Sequence, residues 1–194
     1  AVSHISGRDD SFSEKKRNYI LFAGSLIARK GYSDLIKAFA GVLKKYPYWE
    51  LVMAGHGETE KGLALAKELG IENAVEFPGW VTGEKKDELF SNASIFCLPT
   101  YAEGFPMAIL DAMSYGIPVI TTGVGGILDA FTAGRDLLIF PPGEIAELEK
   151  KLDMLISDPF LRKELSANAG LIVQEKFSIQ SVSEKIDAIY QSTI

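Results

Sequence analysis

Short apolar runs alternating with amphipathic stretches predict an α/β domain built on a doubly wound parallel sheet. Three observations carry that expectation. The alternation has the pitch of right-handed βαβ units. Glycine and proline punctuate the junctions. A chain of 194 residues suits one such domain with a core of its own.

The elements follow in order. Residues 1–17 are polar and patternless and read as a tail or linker ahead of a domain spanning 18–194. Residues 19–23 form a short apolar strand ending at Gly24. Residues 33–45 place Leu35, Ile36, Phe39, Val42 and Leu43 at helical spacing, with Ser33 as N-cap. Residues 50–54 are the second strand, and 58–69 a helix closed by Gly70. Residues 74–77 are the third strand, broken by Pro78-Gly79, and 84–92 a short helix. Residues 94–98 are the fourth strand, 106–115 a helix, 119–121 the fifth strand, 127–131 a short helix and 137–140 the last strand. The remainder reads as three helices, 144–157, 159–175 and 178–192, divided at Asp158-Pro159 and Phe177-Ser178. The last of these places Val182, Ile186, Ile189 and Tyr190 on one face.

Composition narrows the function. The net charge of −6 gives no basic footprint for nucleic acid. Cys97 is the one cysteine and sits in an apolar run, where a small core residue is expected. The two histidines, His4 and His56, lack metal-ligand spacing, so no metal is expected. No apolar run reaches the ~18 residues of a membrane span, and no signal-peptide pattern opens the chain. The cytoplasm is the expected compartment.

Ligands of doubly wound sheets bind at the carboxyl ends of the strands. That rule selects residues 24–31, 55–58, 78–82, 99–107 and 121–126. Within 99–107, Pro106 suits the first turn of a helix, and the free amides of that turn, Gly104, Phe105 and Met107 among them, offer an anion site. Glu103 is expected to project into the same crevice, with Asp111 about one and a half turns further into the helix. The plain alternative is a surface Glu and an Asp placed for the helix dipole. Gly55-His56-Gly57 lacks the third glycine of a dinucleotide fingerprint, since Glu60 takes its place, and no P-loop sequence occurs.

These residues resemble glycosyltransferase family 4, the glycosyl transferases group 1. Pro99-Thr-Tyr-Ala-Glu-Gly-Phe-Pro106, followed by Asp111, resembles its Glu-x7-Glu motif, with Asp in the second position. Gly24-Ser-Leu-Ile-Ala-Arg-Lys-Gly31 resembles Gly-Arg-Leu-x-x-x-Lys-Gly, and Phe77-Pro-Gly-Trp-Val81 resembles Phe-x-Gly-x-Val. Gly116-Ile-Pro-Val-Ile120, Gly125-Gly126 and Pro141-Pro-Gly143 also fit, so the resemblance runs from Tyr19 to Tyr190.

The resemblance implies a Rossmann-like, doubly wound parallel sheet forming the C-terminal half of a GT-B fold. It implies binding of a UDP-, GDP- or ADP-linked sugar, without a metal, as part of a retaining transferase acting on a glycan or lipid-linked acceptor. The N-terminal acceptor half would be absent, leaving the chain to bind donor without turnover. Full-length relatives are expected to be cytoplasmic, some peripheral at the inner membrane face. By resemblance, Lys30 holds the diphosphate and Glu103 the donor sugar, these two being the catalytic residues. Gly24, Ser25, Gly57, Val81, Gly104, Phe105, Pro106, Met107 and Asp111 complete the donor site, Asp111 at the ribose and Val81 in the loop that reads the base. Ser25 stands where the family carries a second cation, an Arg; Arg29 is the nearest substitute, its direction open. Trp80 is weighed as a cover for the base against a partly buried structural residue, with the latter preferred. The C-terminal helix of GT-B enzymes often crosses to the other half, so an exposed apolar strip and self-association of the isolated domain are further expectations. Two alternatives stand beside this reading: a non-catalytic nucleotide-sugar-binding or scaffold module of the same fold, and a nucleotide-dependent oxidoreductase domain.

Overall fold

The structure, a computed structural model, describes residues 17–104 and 107–178 together with 180, 181, 183 and 190. Six strands form one parallel sheet: β1 (Tyr19–Ala23), β2 (Glu50–Ala54), β3 (Val75–Gly79), β4 (Ile95–Leu98), β5 (Val119–Thr122) and β6 (Leu138–Phe140). Their order across the sheet is β3-β2-β1-β4-β5-β6, the doubly wound arrangement expected. The helices are α1 (Tyr32–Leu43), α2 (Thr59–Glu68), α3 (Gly83–Asn92), α4 (Met107–Ser114), α5 (Ile127–Ala130), α6 (Ile145–Ser157) and α7 (Pro159–Phe177). The central strands read as unbroken apolar runs because both faces are covered; Ile20, Leu21, Phe22, Ile95 and Phe96 are fully buried. Cys97 belongs to the same core, where burial pushes its thiol well up and leaves it no nucleophilic role.

Two boundaries differ from the sequence expectation. Ser33 is not the N-cap of α1; it lies inside the first turn, and Gly31 caps the helix with φ +68°. A short 3-10 turn, Ala28–Lys30, precedes it, and its exit into α1 needs a left-handed residue. A side chain there is excluded twice, by that φ and by the Pro99 carbonyl oxygen 2.0 Å from where a Cβ would stand. Pro78-Gly79 does not end β3, which runs through both residues. β3 is an edge strand, and a proline is tolerated where the missing N–H faces outward.

Other junctions follow their local chemistry. Gly70, with φ +68°, closes α2, and the Ile71 N–H returns to the Ala66 carbonyl. Asp158 caps α7, its Oδ1 accepting from the amides of Phe160 and Leu161 at 2.9 and 3.0 Å, with Pro159 at the first helical position. Arg17, the last residue of the expected tail, is already attached: its amide donates to Asn92 O and its carbonyl accepts from Ser94 Oγ. The rest of that tail and most of the expected 178–192 helix, including Val182, Ile186 and Ile189, lie outside the described residues. Among the described residues no helix is long and apolar enough to cross a membrane.

Candidate functional site

The sheet order reverses between β1 and β4, which lie side by side. A ligand crevice is expected at the carboxyl ends of such a pair. Each strand sends one charged residue there. Lys30 arrives on the 3-10 turn after β1, Glu103 on the loop after β4, and Lys30 Nζ stands 2.5 Å from Glu103 Oε2. Their side chains are only 16% and 11% exposed, so the charges compensate each other where water does little of the work.

The backbone beneath this pair is fixed from several sides. Tyr101 N–H donates to Arg29 O, and Thr100 Oγ1 lies within hydrogen-bond distance of the carbonyls of Arg29 and Ala102. Thr122 Oγ1, at the end of β5, donates to Thr100 O. The Arg29 guanidinium donates to Ala102 O at 2.9 Å. Arg29 thereby braces the Glu103 loop. On the far side, Gly125 comes so close that a Cβ there would lie 1.9 Å from Glu103 O, at a φ of +57°. The paired glycines 125 and 126 thus let the loop after β5 press against the Glu103 turn.

At the same carboxyl edge, where β1 and β2 end against α3 and α4, lies a cavity of about 440 Å³, lined by neither member of the pair. It brings together Gly24, Val81 and Asp111 from the expected set, with Gly55, Trp80 and Lys86. Asp111 faces this cavity from α4, and its Oδ2 accepts from Lys86 Nζ at 2.9 Å. Trp80 is 66% exposed at the cavity, with the His56 ring edge-on at 5.4 Å. The expectation of a structural, partly buried Trp80 is overturned: nothing encloses an indole on the turn that follows an edge strand.

The remaining expected residues are placed unevenly. Ser25 is half-buried on the loop after β1 and does not line the cavity. Gly57 is exposed and bridges to Leu26, lengthening the β1–β2 pairing without lining the cavity. Gly104 and Met107 are exposed, and Phe105 and Pro106 lie outside the described residues. Among the described residues no three His, Cys, Asp or Glu side chains gather as a metal site requires. Gly55 belongs to the 55–58 loop selected from the sequence, whereas Lys86 was not expected. Lys86 sits in the run Glu84-Lys-Lys-Asp-Glu88, which reads as a solvated helix face, and only its proximity to Asp111 distinguishes it.

A doubly wound sheet with a lysine–carboxylate pair at its switch point and a cavity alongside defines a ligand-binding α/β domain of the Rossmann type. Comparison with known proteins makes the class specific. The profile of the glycosyl transferases group 1 matches residues 6–172, and the chain belongs to that family. It is 33% identical over 170 residues to an uncharacterised glycosyltransferase of Haemophilus influenzae, covering 86% of this chain and 47% of that protein. Its fold is similar to the crystal structure of the C-terminal domain of the glycosyl transferase group 1 protein LpcC from Francisella tularensis, with a TM-score of 0.78, 26% identity and coverage of 85% and 88% of the two chains. It is similar in fold to Anabaena HepE, solved in complex with UDP, with a TM-score of 0.82 and 23% identity over 91% of this chain and 49% of that one. The chain spans about half the length of the curated relatives it matches, and its fold is that of the C-terminal half of a GT-B glycosyltransferase.

Proposed function

We propose that this domain binds the nucleoside diphosphate sugar donor of a retaining glycosyltransferase, and that a partner N-terminal half brings a glycan or lipid-linked acceptor. The observation that carries the reading is the Lys30–Glu103 pair at the switch point, 2.5 Å apart and largely enclosed. Before donor arrives, Glu103 neutralises Lys30. An entering diphosphate competes for the ammonium, and the carboxylate is released to accept hydroxyls of the donor sugar. As the bond from the anomeric carbon to the diphosphate oxygen breaks, Lys30 stabilises the charge that builds on the leaving group. The acceptor oxygen forms its new bond on the same face, and its proton passes to an oxygen of the leaving phosphate. Backbone amides and Lys30 share the diphosphate, since Ser25 brings a hydroxyl without charge. The cavity takes the nucleoside. The UDP held by HepE and the family membership support the donor class.

The test is titration of the chain with UDP, GDP and ADP by calorimetry. Saturable binding of at least one is expected, weakened by Lys30→Ala and unchanged by EDTA, since the proposed site uses no metal. No saturable binding to any of the three at millimolar concentration overturns the reading. The uncharged Ser25 favours one alternative, a module that binds nucleotide sugar without catalysis. Joining the chain to an N-terminal half and following donor hydrolysis separates the two: turnover that Glu103→Ala abolishes means an enzyme.

A further inference from the structure

Lys86 has no part in that reading, yet its placement is specific. It reaches from α3 to α4, where its Nζ donates to Asp111 Oδ2 at 2.9 Å, and it lies over the Phe90 ring at 5.4 Å from the centroid. Both charged side chains line the cavity, and they are 34% and 28% exposed. Around them the wall is mainly apolar, with Ala23, Ala54, Val81 and Ala108. A tether between two helices has no need of a cavity; this pair forms its polar patch.

The chemistry of the patch limits what it can recognise. An ionised carboxylate only accepts hydrogen bonds, and an ammonium only donates them. A phosphate entering here would meet Asp111 as a like charge, and an amine would meet Lys86 as one. Hydroxyl groups both donate and accept, so two adjacent hydroxyls satisfy the pair without breaking it. Resting on the nucleotide reading above, we propose that Lys86 is a specificity-determining residue which, with Asp111, reads the cis-diol of the nucleotide's ribose. One hydroxyl donates to Asp111, its neighbour accepts from Lys86, and the lysine keeps the carboxylate turned into the cavity. The pair selects ribonucleotides over their deoxy counterparts.

The experiment compares UDP, GDP and ADP with their 2′-deoxy and 3′-deoxy forms on the wild-type chain, Lys86→Met and Lys86→Arg, with thermal melting to follow folding. Methionine keeps an unbranched stem over Phe90 and removes the ammonium with its charge and donors. For whichever base binds, the wild type is expected to hold the ribo form about tenfold more tightly than either deoxy form, the scale of one hydrogen bond to a charged group. Lys86→Met is expected to bring that ratio close to one for the deoxy form that lacks the hydroxyl facing Lys86, and Lys86→Arg to restore most of it. Equal wild-type affinity for ribo and deoxy forms overturns the proposal and leaves the nucleotide reading intact. So does a Lys86→Met chain that keeps the wild-type ratio against both deoxy forms, even if it melts early, because that is the behaviour of a structural tether. If the wild type binds none of the nucleotides, the underlying reading fails and this proposal with it.

Discussion

Two lysine–carboxylate pairs stand at the carboxyl edge of the sheet, and they are held in different ways. Lys30–Glu103 joins two loops whose backbones are locked by Thr100, Thr122, Arg29 and the Gly125 contact. Lys86–Asp111 joins two helices through flexible side chains and is about twice as exposed. The first has its geometry imposed from the backbone outward, which suits a group that must meet charge as it develops at a reacting bond. The second is held by side chains, with Lys86 bonded to Asp111 and lying over the Phe90 ring. The proposed roles follow this division, with the leaving group at the loop pair and the nucleoside at the helix pair.

The largest expected break is in turnover. In a full-length enzyme, Lys30→Ala is expected to lower kcat by about 10²–10³-fold, the scale of losing one preorganised donor to a developing oxyanion. Lys86→Met should leave kcat within a fewfold and act on donor KM. Equal losses of kcat in both variants would erase the division between the pairs.

A smaller effect is expected on stability. Gly125→Ala must place a Cβ against Glu103 O at a left-handed φ, and should cost about 2 kcal/mol or more. For a chain of 194 residues that is a fall in Tm of roughly 4–8 °C, accompanied by weaker nucleotide binding. The smallest effect sharpens the comparison from outside it. Asp158→Ala removes the α7 cap at the far side of the domain and should cost about 1 kcal/mol, read by thermal melting, with nucleotide affinity unchanged. A loss of affinity there would mean that binding tracks global stability and not the two pairs.

The sequence made the loop pair legible and the helix pair half so. Central strands such as Ile95–Leu98 announce themselves because burial on both faces demands an unbroken apolar run. Glu103 stood out because a strand end and the following helix turn place it at the crevice, and Lys30 because residues 24–31 resemble a family motif. The misses share one cause, which is information held elsewhere in the fold. Gly31 outranks Ser33 as a cap because of a carbonyl at Pro99. Pro78 is tolerated because β3 lies at the sheet edge. Trp80 is exposed because its turn leaves that same edge strand. Lys86 is legible only once the fold brings it to Asp111 at a shared cavity, since a lysine in a charged run carries no mark of the acid across from it.

The bridge between Leu26 and Gly57 carries a consequence for the timing of exchange with solvent. The Leu26 amide donates to His56 O at 2.8 Å and the Glu58 amide to Leu26 O at 2.7 Å, so two connections that look like free loops are stitched to each other beyond the ends of β1 and β2. In deuterated water these two amides should retain their protons long after the neighbouring exposed positions have lost theirs. On that clock the stitched loops belong to the slow-opening heart of the domain, while the exposed side chains of Trp80 and His56 answer to the solvent.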